Sequence, residues 1–135
     1  DEVIHATENV PETVFKLNET RGVDRVIVCT GALPAVDQAL KSIGRGGIIL
    51  FFAVPPPGVT VPLPITEFWR NENTVMTSYG AAPDDLAAAL NLISQHKLNL
   101  KEMVTHRLGL GEAAAGFRLV ADAKESIKVI LDPAR

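Results

Sequence analysis

The chain has 135 residues, 47% hydrophobic and 21% charged, with a formal net charge of −3. This length can bury one sizeable core and the composition is globular, which excludes disorder, and the scattered Lys and Arg exclude a basic nucleic-acid footprint. The longest apolar run, Ile48 to Val54, is too short to span a membrane, and the one cysteine, Cys29, can neither staple a fold nor form a cysteine zinc site by itself.

A lone thiol fits a reducing cytoplasm. Nothing at the start reads as a signal peptide. The chain opens on DEVIHA, with no Met and no lead-in. Those residues read as a strand already under way, which a chain cut from a longer protein explains better than expression or processing.

In chain order, Val3 and Ile4 suggest a short strand. Asn9, Pro11 and Glu12 then suit a helix start, with Val10, Val14 and Leu17 on one face and Gly22 as its stop. Val26, Ile27 and Val28 are continuous rather than alternating, which predicts a strand covered on both faces, as in a parallel sheet. Leu33, Val36, Leu40 and Ile43 form a helical stripe, which Gly44, Gly46 and Gly47 end before a second buried strand, Ile48 to Val54.

Prolines 56, 57, 62 and 64 make the following stretch a loop. TEFWRNE predicts one or two helical turns, and NTVMTSYG a third, more polar strand nearer an edge. The clearest helix follows, with Pro83, Asp84 and Asp85 at its start and His96 and Lys97 at its end; Leu86, Leu90 and Ile93 form its stripe. MVTHRL reads as a short strand, GEAAAGFRLVADA as a helix with Ala114, Phe117 and Ala121 on one face, and SIKVIL as a last strand stopped by Asp132 and Pro133. Alternating strands and helices predict an α/β doubly wound parallel sheet, whose ligands bind outside the carboxyl ends of the strands.

The glycines at 44, 46 and 47 invite a phosphate-binding reading. A dinucleotide fingerprint, however, follows a strand and opens a helix, where the helix N-terminus meets the pyrophosphate. These glycines close a helix and open a strand, so they belong at the amino end of the sheet, away from ligand. Thr30-Gly31 has the right setting but one glycine; it reads equally as an ordinary strand-to-helix turn. Cys29 reads first as a small buried hydrophobe. His5, His96 and His106 stand in different elements, with no spacing that makes a metal pair. Lys128 is either an outward-facing strand lysine or a cation aimed at a phosphate.

The segments DEVI, VDRVIVCTGA, ALKSIGRGGIILFFAV, NTVMTSYG, MVTHRLGLGEAAAGFRLV and SIKVILDP follow the order seen in zinc-type medium-chain dehydrogenases. The chain resembles the C-terminal part of such an enzyme over nearly its whole length. FWRNENTVMTSYG is most similar to the polyol (sorbitol-like) and related alcohol dehydrogenases.

The resemblance implies that residues 1–79 hold the later strands of a Rossmann-type sheet of order 3-2-1-4-5-6. Asp1 to Ala6 would be its third strand, Val23 to Cys29 its fourth, Ile48 to Val54 its fifth and Thr74 to Tyr79 its sixth. Residues 80–135 would supply a linking helix and a return to the catalytic domain. It also implies NAD or NADP as cofactor and zinc in the parent enzyme, with the glycine fingerprint, ribose-reading acid and zinc ligands all upstream of this chain and no metal ligand or catalytic residue within it.

The carried-over contacts are supporting ones. Cys29, Thr30 and Gly31 match the turn on the cofactor's ribose side. Phe52, Ala53 and Val54 match the strand end whose backbone binds the nicotinamide carboxamide, with Ala53 where many relatives have Gly. Thr77 and Ser78 match cofactor contacts and Tyr79 a substrate contact. Ser78 stands where polyol dehydrogenases carry a neighbouring Arg, which speaks against sorbitol itself. Lys128 matches a basic position near the pyrophosphate, keeping the charge of the Arg used by several relatives but not its bidentate fork.

The implied parent moves hydride between a small-molecule alcohol or polyol and nicotinamide, without nucleic-acid or membrane partners, as a homo-oligomer joined through the sheet edge. The implied chain alone is inactive. Two other readings stand beside this one: a non-catalytic dimerisation module that keeps a remnant of the fold, and part of a zinc-free medium-chain enone reductase.

Overall fold

The apolar run after the glycines becomes the central strand of the larger of two sheets. The computed structural model describes residues 1–135, which divide into two units, Asp1–Gly80 and Ala81–Arg135. In the first unit the order is α1 (Val10–Leu17), β1 (Val23–Val28), α2 (Leu33–Ser42), β2 (Ile43–Phe51), α3 (Ile65–Asn71) and β3 (Thr74–Thr77). The sheet order is β1-β2-β3 and both pairings are parallel. The register aligns Val28, Phe51 and Thr77, so all three strands end on the same edge.

One face of this sheet carries the core. Val28, Ile49 and Phe51 pack with Val36 and Leu40 of α2 and Phe68 of α3. Ile49 and Val36 are essentially closed to solvent, at 0% and 1% exposure. A side chain so placed contributes roughly 1.5–3 kcal/mol by burial. The other face is open: Ile27 is 63% and Met76 49% exposed. The continuous apolar run of β1 therefore does not have both faces covered within this chain.

Several boundaries differ from the sequence reading. Residues 1–6 form no strand, and Val3 is almost wholly exposed. An extended segment with no neighbouring strand has nowhere to place its backbone hydrogen bonds except water. Helix α1 starts as expected, with the Asn9 side chain accepting from the Glu12 amide. It stops at Leu17 rather than Gly22, because Glu19 and Thr20 turn left-handed (φ 52° and 64°) and the Asn18 side chain donates to the Gly22 carbonyl. Leu17 is more than half exposed, so it leaves the packed face formed by Val10 and Val14.

The stripe of α2 is narrower than expected: Val36 and Leu40 are buried, Leu33 is half-exposed, and Ile43 already begins β2. The three glycines lie inside β2 rather than between helix and strand. Ile43 pairs with Val23 and Ile48 with Arg25, so β2 bulges between them. Gly46 carries the φ of +69° that such a bulge requires. Asn73 ties the bulge down, donating to the carbonyls of Gly44 (2.6 Å) and Gly47 (3.5 Å). The cluster sits at the amino end of β2, as its sequence context demanded. The second and third strands stop at Phe51 and Thr77, before the expected Val54 and Tyr79. All four residues of β3 are exposed, as on an edge strand rather than a half-buried one.

The second unit holds α4 (Pro83–Ser94), β4 (Val104–Gly109), α5 (Ala113–Asp122) and β5 (Lys128–Asp132). Pro83 opens α4, and the Asp85 carboxylate accepts from the Ala82 amide. The helix stops at Ser94, short of Lys97, and His96 takes a left-handed φ of 53° just beyond. No residue of α4 is buried. Strands β4 and β5 pair in parallel through the α5 crossover. Thr105 fixes their start, donating to the Lys128 carbonyl and accepting from the Ile127 amide. The inward face of α5 runs through Ala113, Gly116 and Leu119, and Gly116 packs against Leu108, Val129 and Leu131. The expected face of Ala114, Phe117 and Ala121 points outward, with Phe117 71% exposed.

Candidate functional site

In a parallel α/β sheet the carboxyl ends of the strands are where chain leaves the ladder and backbone groups become available. Here three such exits stand side by side. Strand β1 gives way to Cys29, Thr30 and Gly31, β2 to Phe52, Ala53 and Val54, and β3 to Ser78 and Tyr79 after Thr77.

Backbone hydrogen bonds lock the exits together. The Val28 carbonyl accepts from both the Phe52 amide (3.1 Å) and the Ala53 amide (2.9 Å), and the Phe51 carbonyl accepts from the Ser78 amide (3.1 Å). The Phe52 and Ala53 amides are thereby spent on the ledge. The carbonyls of Phe52, Ala53 and Val54 receive no backbone donor and are the acceptors this strand end can offer.

The side chains are largely open. Cys29 is exposed, which corrects its reading as a buried hydrophobe; it lies one residue past β1, where the sheet no longer covers it. The Thr30 hydroxyl accepts from the Ala32 amide (3.2 Å) and so secures the start of α2, whose own N-cap position offers no side-chain acceptor. Gly31 is half-buried against the β2 exit. Phe52 and Val54 are each 62% exposed, Ala53 is half-buried, and Tyr79 is fully exposed. Beside them, Phe51, Val54, Val59, Val61, Val75 and Thr77 line a shallow, mostly apolar cavity of about 390 Å³ under the proline-rich loop.

Nine of the ten predicted site residues thus gather on one sheet edge. Lys128 belongs to the second unit, as the exposed first residue of β5. Sequence reasoning missed the Val28 and Phe51 carbonyls, which hold the ledge. A carbonyl role leaves no trace in residue type, so only the strand register could have pointed to them.

No group of three His, Cys, Asp or Glu side chains stands close enough to hold a metal ion. The donor set of this chain therefore does not fit zinc. What the strand exits do offer is unpaired carbonyl acceptors beside an apolar cavity.

A parallel sheet with helical crossovers and its exits gathered on one edge defines an α/β protein of the class that takes ligands there. Within that class, the chain belongs to the zinc-binding dehydrogenase family, which residues 1–95 match. It is 30% identical over 128 residues to a sorbitol dehydrogenase of Halalkalibacterium halodurans, covering 93% of this chain and 36% of that protein. It is 33% identical over 135 residues to an erythritol/L-threitol dehydrogenase of Mycolicibacterium smegmatis, covering 99% of this chain and 37% of that protein. The structure superposes with a TM-score of 0.73 on a zinc-binding dehydrogenase of Sinorhizobium meliloti described as putative and bound to NADP, at 26% identity over 83% of this chain and 32% of that one. The chain thus spans about a third of the length of the curated relatives it matches.

Proposed function

We propose that this chain is the C-terminal portion of an NAD(P)-dependent, zinc-type alcohol or polyol dehydrogenase that moves hydride between a secondary alcohol and nicotinamide. The observation that carries the reading is the ledge: three strand exits, joined through Val28 and Phe51, that hold carbonyl acceptors beside an apolar cavity. Family membership and the polyol dehydrogenases among the relatives support it.

Residues 1–79 make up the later portion of the nucleotide-binding domain, and residues 80–135 the linking helix and a segment of the catalytic domain. The Phe52, Ala53 and Val54 carbonyls accept from the carboxamide and fix which ring face is presented. Cys29, Thr30 and Gly31 border the ribose, Thr77 and Ser78 contact the cofactor, and Tyr79 faces the alcohol. Lys128 supplies a cation toward the pyrophosphate. The nicotinamide, when bound, accepts or donates the hydride. Zinc is held by residues outside these 135, so the chain alone is inactive. The partner is a small-molecule alcohol, with a second copy joined along the exposed edge of β3. The unpaired Cys29 suits a cytoplasmic setting.

The reading is tested with the complete polypeptide that carries this sequence, loaded with zinc and offered sorbitol, erythritol and simple secondary alcohols with NAD or NADP. The expected result is alcohol-dependent appearance of the reduced cofactor. Absence of turnover with every alcohol and both cofactors would refute it.

A further inference from the structure

The Gly31 position has no room for a side chain. A Cβ built there would lie 2.5 Å from the Val54 carbonyl oxygen, 3.0 Å from the Val54 carbonyl carbon and 3.1 Å from the Pro55 Cα. All three are main-chain atoms, which cannot swing aside as the end of a flexible side chain would. Gly31 carries no positive φ, so the demand for glycine comes from this close approach and not from backbone conformation.

The approach has a consequence for the ledge. Phe52 and Ala53 are pinned at their amides by the Val28 carbonyl, and the chain bends away immediately afterwards. Val54 is therefore held from one side by that pin and from the other by the backbone of the β1 exit. Pro55 follows directly and stiffens the departure at its own φ.

We propose that Gly31 is a positioning residue of the cofactor site: by lacking a side chain it lets the β1 exit seat against Val54 and sets where the carbonyls of the β2 exit point. Besides bordering the ribose, Gly31 acts through Val54 on the carbonyls of the next strand exit. This rests on the dehydrogenase reading above and extends it by assigning the aim of the carboxamide acceptors to the strand next door. A larger residue at position 31 must push Val54 and Pro55 outward, moving the acceptors while the Val28 pin and the core beneath remain. Pro55→Gly loosens the same seat from the other side without adding atoms.

The experiment uses the complete polypeptide, with reduced NAD or NADP titrated by its fluorescence well below the melting temperature. Gly31→Ala weakens cofactor binding by roughly tenfold, the order of one lost hydrogen bond to the carboxamide. Gly111→Ala is the control; nothing lies within 4 Å of its added methyl, and its affinity stays at the parent value. Pro55→Gly weakens binding in the same direction, and combining it with Gly31→Ala restores part of the loss, because the freed exit can step back. Should Gly31→Ala fail to fold, Pro55→Gly still decides: unchanged affinity overturns the proposal. Folded Gly31→Ala with parent affinity overturns it as well. Failure of the unsubstituted polypeptide to bind either cofactor refutes the dehydrogenase reading and, with it, any cofactor role for Gly31; parent binding with unaffected variants refutes the Gly31 inference alone.

Discussion

Lys128 enters none of the chain's ion pairs, which join Lys16 to Glu12, Arg21 to Glu19 and Lys41 to Asp37. An exposed ammonium with no carboxylate beside it is available to an anion. In the complete polypeptide, Lys128→Ala is predicted to weaken NAD(P)H binding by about tenfold, the order of one lost charge-assisted contact, while Lys128→Arg keeps most of it. Titrations at low and high salt check the origin, since the gap between parent and Lys128→Ala narrows as salt rises. Glu12 makes a smaller point on helix α1. The hydrogen bond from Lys16, and then its charge, hold the Glu12 carboxyl below its ordinary range. A carboxyl with a depressed folded pKa stabilises above its unfolded pKa and loses that contribution as pH falls through the folded value. NMR titration should therefore show Glu12 protonating below the ordinary glutamate value, and returning toward that value in Lys16→Ala. At this scale the residues that gather at the three strand exits were legible in sequence, whereas the Val28 and Phe51 carbonyls and the crowding at Gly31 were not, because they are properties of main-chain register.

The elements followed hydrophobic pattern wherever one face was unambiguous. Ile49 lies in the central strand β2, closed to solvent. Ile49→Ala is predicted to destabilise the chain by about 3 kcal/mol, read from urea unfolding, through lost burial and the cavity left behind. Phe117→Ser should change the stability of this chain by less than about 0.5 kcal/mol, since the ring already faces water. The sequence reading put that ring on one face with Ala114 and Ala121, without saying which stripe of α5 packs inward. Periodicity cannot choose between Ala114-Phe117-Ala121 and Ala113-Gly116-Leu119. Packing chose the second, where Gly116 lets the helix approach Leu108, Val129 and Leu131. The glycines of β2 were misplaced for a related reason: glycine marks a turn, but the pattern does not say whether the turn interrupts a strand or precedes it. The bulge held by Asn73 settles that here. On β3, Val75→Lys would blunt the exposed edge and is predicted to convert an edge-paired dimer of the complete polypeptide to monomer in sedimentation.

Across the whole molecule, the parallel α/β class and the order of the later strands were legible because each strand is followed or preceded by a patterned helix. What was not legible is how much of that pattern the chain can satisfy internally. Ile27 and Met76 share the open sheet face, and Val3 and Ile4 form no strand despite their composition. Val3, Ile27 and Met76 stay exposed within this chain, which spans about a third of the length of the curated relatives it matches. The central claim is that the ledge is one side of a cofactor site completed by chain beyond these 135 residues. Calorimetric titration of NADH and NADPH into residues 1–135 and into the complete polypeptide tests it most directly. Binding of at least one cofactor to the complete polypeptide, and none that saturates with residues 1–135, is the expected result. Tight binding by the short chain alone, or none by the complete polypeptide, would contradict it.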